Sequence, residues 1–402
     1  MVKDSLSDAG YRKMMLVICY AVYCMFGLFL GMRTSIFHFV QRDYLDSYSH
    51  IATLILVSGV LMQLALYAAG SLSERFGFHR ILGLGLFVSA ISLALMYLVN
   101  SALSFDLTYF FFMVGFGIAM LALNLFVSHL VPQRKGNALL LLHLFFSIGA
   151  LAGPYWISLM TNAGSTWQAV TALSTIPMFG ILVVMVVGGR MNPGFVSGEL
   201  AVPEATVHVG SAGARFRVLL ADPFVWLFAV IFICSQIWEY GIGTWFVIFA
   251  SKTRGLDAGE AALYLTLFYA SYPVIRIVFS RIIHRLNLLA VLTGAFISCI
   301  VFGCLGIISG KLIFYSLTGA GIALMYPGIM AAMQHVFGTG STKKIGFITM
   351  AGGMLQYVAI WSVGLLSNSR GIGFGFNSML FYLVFGAIAA AAIMEKTTKK
   401  RK

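Results

Sequence analysis

Charge is scarce in this chain of 402 residues. Only 10% of the residues are Asp, Glu, Lys or Arg, whereas a soluble domain carries about 25%. Acidic residues are the rarer part of that fraction, with 13 against 26 basic residues. Apolar residues make up 60% of the sequence and the mean hydropathy is +0.93. The composition therefore excludes an ordinary soluble domain and is typical of a membrane protein.

Cysteine is also scarce, and its positions exclude two kinds of site. All five cysteines lie inside long apolar segments, so we expect no disulfide framework outside the membrane. None belongs to a Cys/His cluster with the spacing of metal ligands, so no metal and no cofactor is predicted. The five are Cys19, Cys24, Cys234, Cys299 and Cys304.

Several functional motifs are missing. No GxxxxGK[ST] segment is present, which argues against ATP-driven transport by this chain. The apolar segments hold no nucleophile or metal constellation at a suggestive spacing, so we do not expect an enzyme. No basic face with interleaved aromatics exists outside them, which argues against nucleic-acid binding. Membrane topology explains the net charge of +13 instead, and anionic lipid headgroups would attract the basic tail.

Long apolar runs are what the chain does contain. Each is about as long as the 20 or so residues that cross a bilayer as a helix. We predict an all-α membrane protein with twelve transmembrane helices. The segments are 14–40, 51–73, 81–99, 105–130, 137–161, 168–189, 223–250, 259–282, 288–308, 311–336, 345–367 and 374–394.

The first segment is too long for the apolar part of a signal peptide, and no small-residue cleavage site follows it. We expect it to remain as an uncleaved first helix. No organellar targeting peptide is seen, which favours a bacterial inner membrane.

The polar stretch 190–222 divides the segments into two groups of six. We predict an N-terminal half at 1–189, a cytoplasmic linker at 190–222, and a C-terminal half at 223–402 with a basic tail. Two six-helix repeats are the usual layout of a secondary transporter.

Basic residues predict the orientation. Most of them lie in the N-terminus, the linker, the tail and the loops on the same side, so both termini should be cytoplasmic. The loops on the opposite side hold only Arg42, Lys252, Arg254, Lys311 and Arg370.

The connection between the second and third segments carries a specific motif. It contains Gly70, the pair Glu74–Arg75, Gly77 and Arg80. This pattern resembles the hallmark cytoplasmic motif of the major facilitator superfamily, with Glu in place of the usual Asp. Gly70 would let helices approach closely and Gly77 would permit a tight turn. The resemblance implies a gating role, in which the acid pairs with a basic residue and latches the two halves.

Other patches resemble the fucose-permease-like sugar transporters of that superfamily. They are residues 123–134 and 143–154 in spans 4 and 5, 236–245 in span 7, Arg276 in span 8 and Tyr326 with the following Pro in span 10. The resemblance implies a sugar-type solute and a site between two halves. It also implies a protein that works as a monomer.

Three charges lie deep within spans, namely Arg33, Glu239 and Arg276. A charge at mid-bilayer costs roughly 2.5–3.5 kcal/mol, so each should face a cavity or a partner. The resemblance places Arg33 and Glu239 at similar depth on the wall of a central cavity, one from each half. We predict that Glu239 carries a coupling proton, with Arg33 or Arg276 as its charge partner. A static pair that holds the halves together is the alternative.

Uncharged polar residues complete the predicted site. Asn124, Gln236, Tyr326 and Gln356 are candidates for substrate binding together with the arginine of span 1, because amides and hydroxyls suit a polar solute. Interhelical hydrogen bonds are the alternative for each. His143 is a second candidate proton carrier, since histidine titrates near neutral pH, or it hydrogen-bonds to backbone or water.

Two further features have structural alternatives. Trp238 and Trp245 flank the acid of span 7 and could stack on a sugar ring, pack, or face lipid. The GxxxGP run at 149–154 resembles the motif of drug/proton antiporters, and we expect it to act as a helix-packing device.

The leading prediction is a secondary transporter that takes up a small polar solute by proton-coupled symport. A sugar follows from the resemblance. A small organic anion follows from the two arginines, which suit carboxylates, and from Arg33 in a span where proton-coupled relatives have an Asp. The alternative is proton-coupled efflux of lipophilic cations, which Glu239 would suit and Arg33 would oppose. Partners should be the solute, protons and the bilayer.

Overall fold

The computed structural model describes residues 8–44, 47–131, 135–191, 221–282, 286–338 and 342–399. Regular structure in these ranges is helical, and they contain no β-strand. We number the α-helices in chain order. They are α1 Asp8–Tyr44, α2 Tyr48–Phe76, α3 Phe78–Leu95, α4 Ala102–Leu130, α5 Lys135–Asn162, α6 Trp167–Leu173, α7 Ile176–Met191, α8 Pro223–Arg254, α9 Ala258–Ile282, α10 Leu288–Ser309, α11 Ile313–Phe337, α12 Thr342–Arg370, α13 Ile372–Ser378 and α14 Leu380–Lys399.

Twelve spans within the described ranges are long and apolar enough to cross a membrane. The predicted all-α fold with twelve transmembrane helices is therefore confirmed. Two predicted spans consist of two helices each: α6 and α7 form the sixth, and α13 and α14 form the twelfth. The first helix is longer than the predicted segment 14–40, because α1 continues into polar residues at both ends.

The chain clusters into two compact units, which we describe separately. Unit 1 is Met1–Asp46 and Val57–Thr206, and unit 2 is Ser47–Leu56 and Val207–Lys402. The linker predicted at 190–222 lies mostly outside the described residues, so its boundaries remain a prediction.

The beginning of α2 belongs to unit 2, which the sequence does not suggest. Its Tyr48 backbone N–H donates a hydrogen bond to Asn368 Oδ1 over 2.9 Å. The indole Nε1 of Trp361 donates to Thr53 Oγ1 over 3.3 Å. The first two turns of α2 are thereby anchored to α12.

Close backbone packing of α1 against α5 organises unit 1. A Cβ on a glycine at this interface would run into the backbone of the facing helix, so only glycine permits the observed approach. The expected packing role of the 149–154 run is confirmed. The glycines concerned are Gly27, Gly31, Gly149 and Gly153.

Large aromatic side chains fill the core of unit 2, where α8 packs against α9, α11, α12, α13 and α14. Phe249 stacks on Phe376 with ring centroids 4.2 Å apart. Trp238 and Trp245 are both fully buried, and Trp238 Nε1 donates to Thr318 Oγ1 over 3.0 Å. Neither tryptophan faces lipid, so that alternative was wrong.

The connection between α2 and α3 is a single residue. Gly77 adopts φ 87° and ψ 146°, a left-handed conformation that favours glycine, so the predicted tight turn is confirmed. Arg75 is exposed and lies over the ring of Phe76, 5.2 Å from its centroid. The side chain of Glu74 lies outside the described residues, and its latch role remains a prediction.

Among the described residues, no close helix approach is seen at Gly70. A Cβ at this position would meet Leu121 Cδ2 at 3.6 Å, an ordinary van der Waals contact. A tight contact between α2 and α4 lies at Gly117 of α4, where a Cβ would stand 2.6 Å from the carbonyl oxygen of Met62. The motif pattern thus located the turn correctly, and the gating role of Gly70 remains a prediction.

Candidate functional site

Glu239 lies in the middle of α8 and is half-buried. Its Oε1 accepts a hydrogen bond from the hydroxyl of Tyr272 over 3.0 Å. Its Oε2 accepts a longer one from Gln236 Nε2, one turn earlier in the same helix, over 3.5 Å. Two polar groups on two helices therefore hold the carboxylate within the membrane span.

Arg276 supplies the positive charge next to this carboxylate. It follows Tyr272 by one turn of α9, and its guanidinium carbon lies 5.0 Å from the centroid of that ring. Its Nε donates to the carbonyl oxygen of Ala323 in α11 over 3.3 Å. Stacking and hydrogen bonding thus fix the guanidinium beside Glu239. The structure brings together the predicted acid and one of its two predicted charge partners.

Tyr326 borders the same cluster from α11. It interacts electrostatically with Glu239 and Arg276, and its ring lies 6.1 Å from that of Phe232. Tyr326 is 38% exposed, so part of its ring is accessible beside a carboxylate and a guanidinium.

Gln356 lies in α12 at the level of this cluster. The contact between Gly352 and Phe232 and the pair of rings Tyr357 and Tyr240, 6.2 Å apart, set the alignment of α12 along α8. Gln356 is only 3% exposed, and among the described residues its Oε1 has no hydrogen-bond partner. A buried acceptor in that state calls for a water molecule or a ligand.

Arg33 lies in unit 1, where it is 6% exposed. It interacts with the hydroxyl of Tyr109 in α4 by charge and hydrogen bonding. The ring of Tyr109 packs against Phe37 and Phe105, at centroid distances of 5.3 and 5.8 Å. Because Arg33 and Glu239 belong to different units, their predicted pairing remains a prediction.

Two other predicted residues have local neighbours in unit 1. The amide Nδ2 of Asn124 donates to the carbonyl oxygen of Met120, one turn earlier, over 2.7 Å. The ring of His143 lies edge-on to Tyr23, 5.4 Å between centroids. The hydrogen bond of Asn124 lies within its own helix and needs no solute. It therefore supports a structural role for Asn124 as the alternative to substrate binding.

Two tyrosines were missed by the sequence analysis. Tyr272 could have been found, because it precedes Arg276 by four residues and must share its face of the helix. Tyr109 gives no such signal, since it meets Arg33 only through tertiary packing. Among the described residues, no group of three or more His, Cys, Asp or Glu side chains could hold a metal ion.

The twelve apolar spans are those of a polytopic membrane protein, and a charged cluster within such spans is typical of a transporter. Its family follows from the sequence as a whole. The family model of the Major Facilitator Superfamily matches residues 16–364. The chain therefore belongs to that superfamily. The resemblance seen in the motif between α2 and α3 is therefore confirmed.

Curated relatives are distant. An uncharacterised MFS-type transporter of Yersinia pestis is 22% identical over 347 residues, which cover 84% of this chain and 83% of that protein. A protein TsgA homolog of Yersinia enterocolitica is 24% identical over 237 residues, which cover 59% of this chain and 57% of that protein. The match to the first extends over most of both chains.

Solved structures share the fold at low sequence identity. The nucleoside transporter NupG matches with a TM-score of 0.73 and 12% identity, covering 96% of this chain and 98% of that one. A D-xylose-proton symporter matches with a TM-score of 0.72 and 15% identity, covering 95% and 97%. The E. coli fucose:proton symporter FucP matches with a TM-score of 0.57 and 17% identity, covering 94% and 98%. These similarities establish the fold.

Proposed function

We propose that this transporter takes up a small polar solute by proton-coupled symport and that Glu239 carries the coupling proton. One observation supports this most strongly: a carboxylate, a guanidinium and a phenol meet at Glu239, Arg276 and Tyr272 within membrane spans. Charged groups in such positions are costly and mark transport pathways or proton relays. Packing alone would be served better by apolar side chains.

The solute would bind to polar groups near that cluster. Gln356 Oε1 lacks a hydrogen-bond partner in the described part of the chain. A solute that donates a hydrogen bond to this oxygen would remove the free-energy cost of a buried, unsatisfied acceptor. Tyr326 offers an exposed aromatic face and Gln236 an amide. Arg33 and Asn124 are proposed as contacts contributed by the N-terminal half.

Coupling would follow from competition for the partners of Glu239. Without solute, Arg276 and the Tyr272 hydroxyl compensate its charge. A solute with an acidic or hydroxyl group would engage those two residues and leave the carboxylate uncompensated. An isolated charge in an apolar setting is strongly unfavourable, so the carboxylate would take up a proton, and solute and proton would move together.

Two solute classes fit this site. The sugar and nucleoside transporters that share the fold favour a neutral, hydroxyl-rich solute, for which the amides and Tyr326 are suited. The arginines Arg33 and Arg276 favour a small carboxylate. Export of lipophilic cations is less favoured, because Arg276 beside Glu239 would repel a cationic ligand.

The cellular setting is part of the proposal. The basic loops place both termini in the cytoplasm, and the Yersinia relatives favour a bacterial inner membrane. We propose a monomer in which Gly70, Glu74, Arg75, Gly77 and Arg80 form the cytoplasmic gate.

A panel of thermal-unfolding measurements on the purified protein would identify the solute class. The probes are neutral sugars, nucleosides, small carboxylates, inorganic phosphate and lipophilic cations. A ligand that binds only the folded state stabilises it by about 2.7 kcal/mol at a hundredfold excess over its Kd. We expect a rise in unfolding temperature with a sugar, a nucleoside or a carboxylate. Stabilisation by lipophilic cations alone would overturn the proposal.

Gln356→Leu tests the binding site directly. The substitution removes a buried acceptor without a described partner, so the unfolding temperature without ligand should stay the same or rise. The rise caused by the ligand should be lost. Gln334→Leu is the matched control, because Gln334 is exposed in the neighbouring α11, and it should retain the rise. Retention of the ligand effect in Gln356→Leu would exclude this residue from the site.

A further inference from the structure

A groove runs between α3 and α7 on the surface of unit 1. Its volume is about 810 Å³, and Leu84 and Phe87 of α3 face Leu182 and Val186 of α7 across it. Leu84, Phe87 and Val186 are each nearly half-exposed. Both helices belong to membrane spans, so these exposed apolar side chains face lipid hydrocarbon. We call this feature the α3–α7 groove.

Two arginines stand at one end of the groove. Arg80 lies in the first turn of α3 and Arg190 in the last turn of α7, and both are exposed. Within the described residues neither is assigned a hydrogen bond or an ion pair. Gly77, the N-cap of α3, provides no side-chain cap, so the positive end of the helix dipole adds to the two charges. This end of the groove is suited to an anion.

His79 closes the groove from beneath. It is buried, and its ring packs against Gly189 so tightly that a Cβ there would stand 2.7 Å from Cε1. Its imidazole hydrogen-bonds to the backbone of Met185, and its ring meets Phe126 edge-on at 6.3 Å. The histidine thus ties α3 to α7 at the level where the two exposed arginines stand.

We propose that the α3–α7 groove binds an anionic phospholipid, with the phosphate between Arg80 and Arg190. One acyl chain would lie along the apolar walls. Phe87 lies about 10 Å along the helix from Arg80 at 1.5 Å per residue. The headgroup of one lipid can therefore contact the arginines while its acyl chain contacts the apolar side chains. Basic pockets between transmembrane helices favour anionic over zwitterionic headgroups. If the proposed orientation holds, the lipid lies in the cytoplasmic leaflet. The proposed binding itself does not depend on the orientation.

Native mass spectrometry of the full chain in detergent would measure this binding. The protein is titrated with dioleoylphosphatidylglycerol, dioleoylphosphatidylcholine and inorganic phosphate. In the double variant Arg80→Gln/Arg190→Gln, the preference for phosphatidylglycerol should fall by about 25-fold, roughly fivefold for each arginine. Lys13→Gln/Lys396→Gln removes two exposed cationic charges elsewhere and should keep the preference.

A second pair of variants tests the apolar part of the groove. A Cβ at Gly83 meets nothing within 4 Å, and Gly83 lines the groove, so Gly83→Phe should fill it and abolish tight binding of phosphatidylglycerol. Gly180→Phe is the control, because Gly180 of α7 also has open space but is not among the lining residues.

Three results would overturn the proposal. The first is equal retention of both lipids by the unaltered protein, and the second is an unchanged preference in Arg80→Gln/Arg190→Gln. The third is binding of inorganic phosphate as tight as that of phosphatidylglycerol, which would mean an anion site without a lipid. None of these measurements involves transport, so the outcome is independent of the proposed function.

Discussion

Glu239 and Arg276 illustrate how the membrane interior governs single side chains. Each would be expensive alone, and the structure gives each a charge neighbour and neutral hydrogen-bonding groups. Their arrangement depends on Tyr272, which donates to the acid and stacks beneath the guanidinium. One tyrosine thus positions both charges.

A double-mutant cycle would measure this coupling. Glu239→Gln and Arg276→Gln should each lower the free energy of unfolding by about 1–3 kcal/mol, because each leaves a half-buried charge without its neighbour. The double variant should lose less than the sum of the two. Denaturant unfolding in detergent provides the values. Simple additivity would show that the two charges do not interact.

For single residues, the sequence indicated the candidate site residues best where burying the side chain in the membrane is energetically costly. Charges inside apolar segments are expensive wherever they point, so Arg33, Glu239 and Arg276 could be selected from the sequence alone. Their neighbours are a matter of tertiary packing. Tyr109 reaches Arg33 from another helix, and nothing in the residues around either position indicates that contact.

At the scale of helices and turns, the two glycines of the motif between α2 and α3 should respond differently to substitution. Gly77→Ala places a Cβ on a residue with φ 87°, which costs roughly 1–2 kcal/mol, so thermal stability should fall. Gly70→Ala meets only an ordinary contact at 3.6 Å and should be neutral or stabilising, because alanine favours a helix. Thermal unfolding of the two variants checks this. A larger loss at Gly70 than at Gly77 would contradict the described geometry.

The packing of α1 against α5 gives a second prediction for helices. Gly149→Ala would drive a Cβ into the carbonyl oxygen of Cys24, so the folded yield and the unfolding temperature should both fall. Gly180→Ala places the same methyl group in open space and should raise stability by up to about 1 kcal/mol. Size-exclusion profiles and thermal unfolding compare the pair. Equal behaviour would mean that α1 and α5 do not pack this closely.

The hydropathy pattern predicted the positions of the transmembrane helices accurately, but it predicted their ends less accurately. An apolar run marks the part of a helix that crosses hydrocarbon, whereas α1 continues as a helix through polar residues on both sides. Likewise the interruption after Leu173 lies within an apolar run, so hydropathy reads α6 and α7 as one segment.

For the whole molecule, the number of spans and the superfamily could be predicted because both follow from local patterns. The assignment of Ser47–Leu56 to unit 2 could not, since it rests on contacts such as Tyr48 with Asn368, which are 320 residues apart. The gate, the solute and the orientation of the termini remain predictions, because they depend on how the whole protein works in a membrane.

The central claim, that Glu239 carries the coupling proton, is tested most directly by transport in proteoliposomes. The solute is the one identified by the thermal panel, and its uptake is followed with and without an imposed pH gradient. Glu260→Gln serves as the control, because Glu260 is exposed at the start of α9. The unaltered protein and the control should accumulate solute when the lumen is alkaline. Glu239→Gln should lose that accumulation while it still exchanges labelled for unlabelled solute. Gradient-driven accumulation by Glu239→Gln at the level of the unaltered protein would contradict the account.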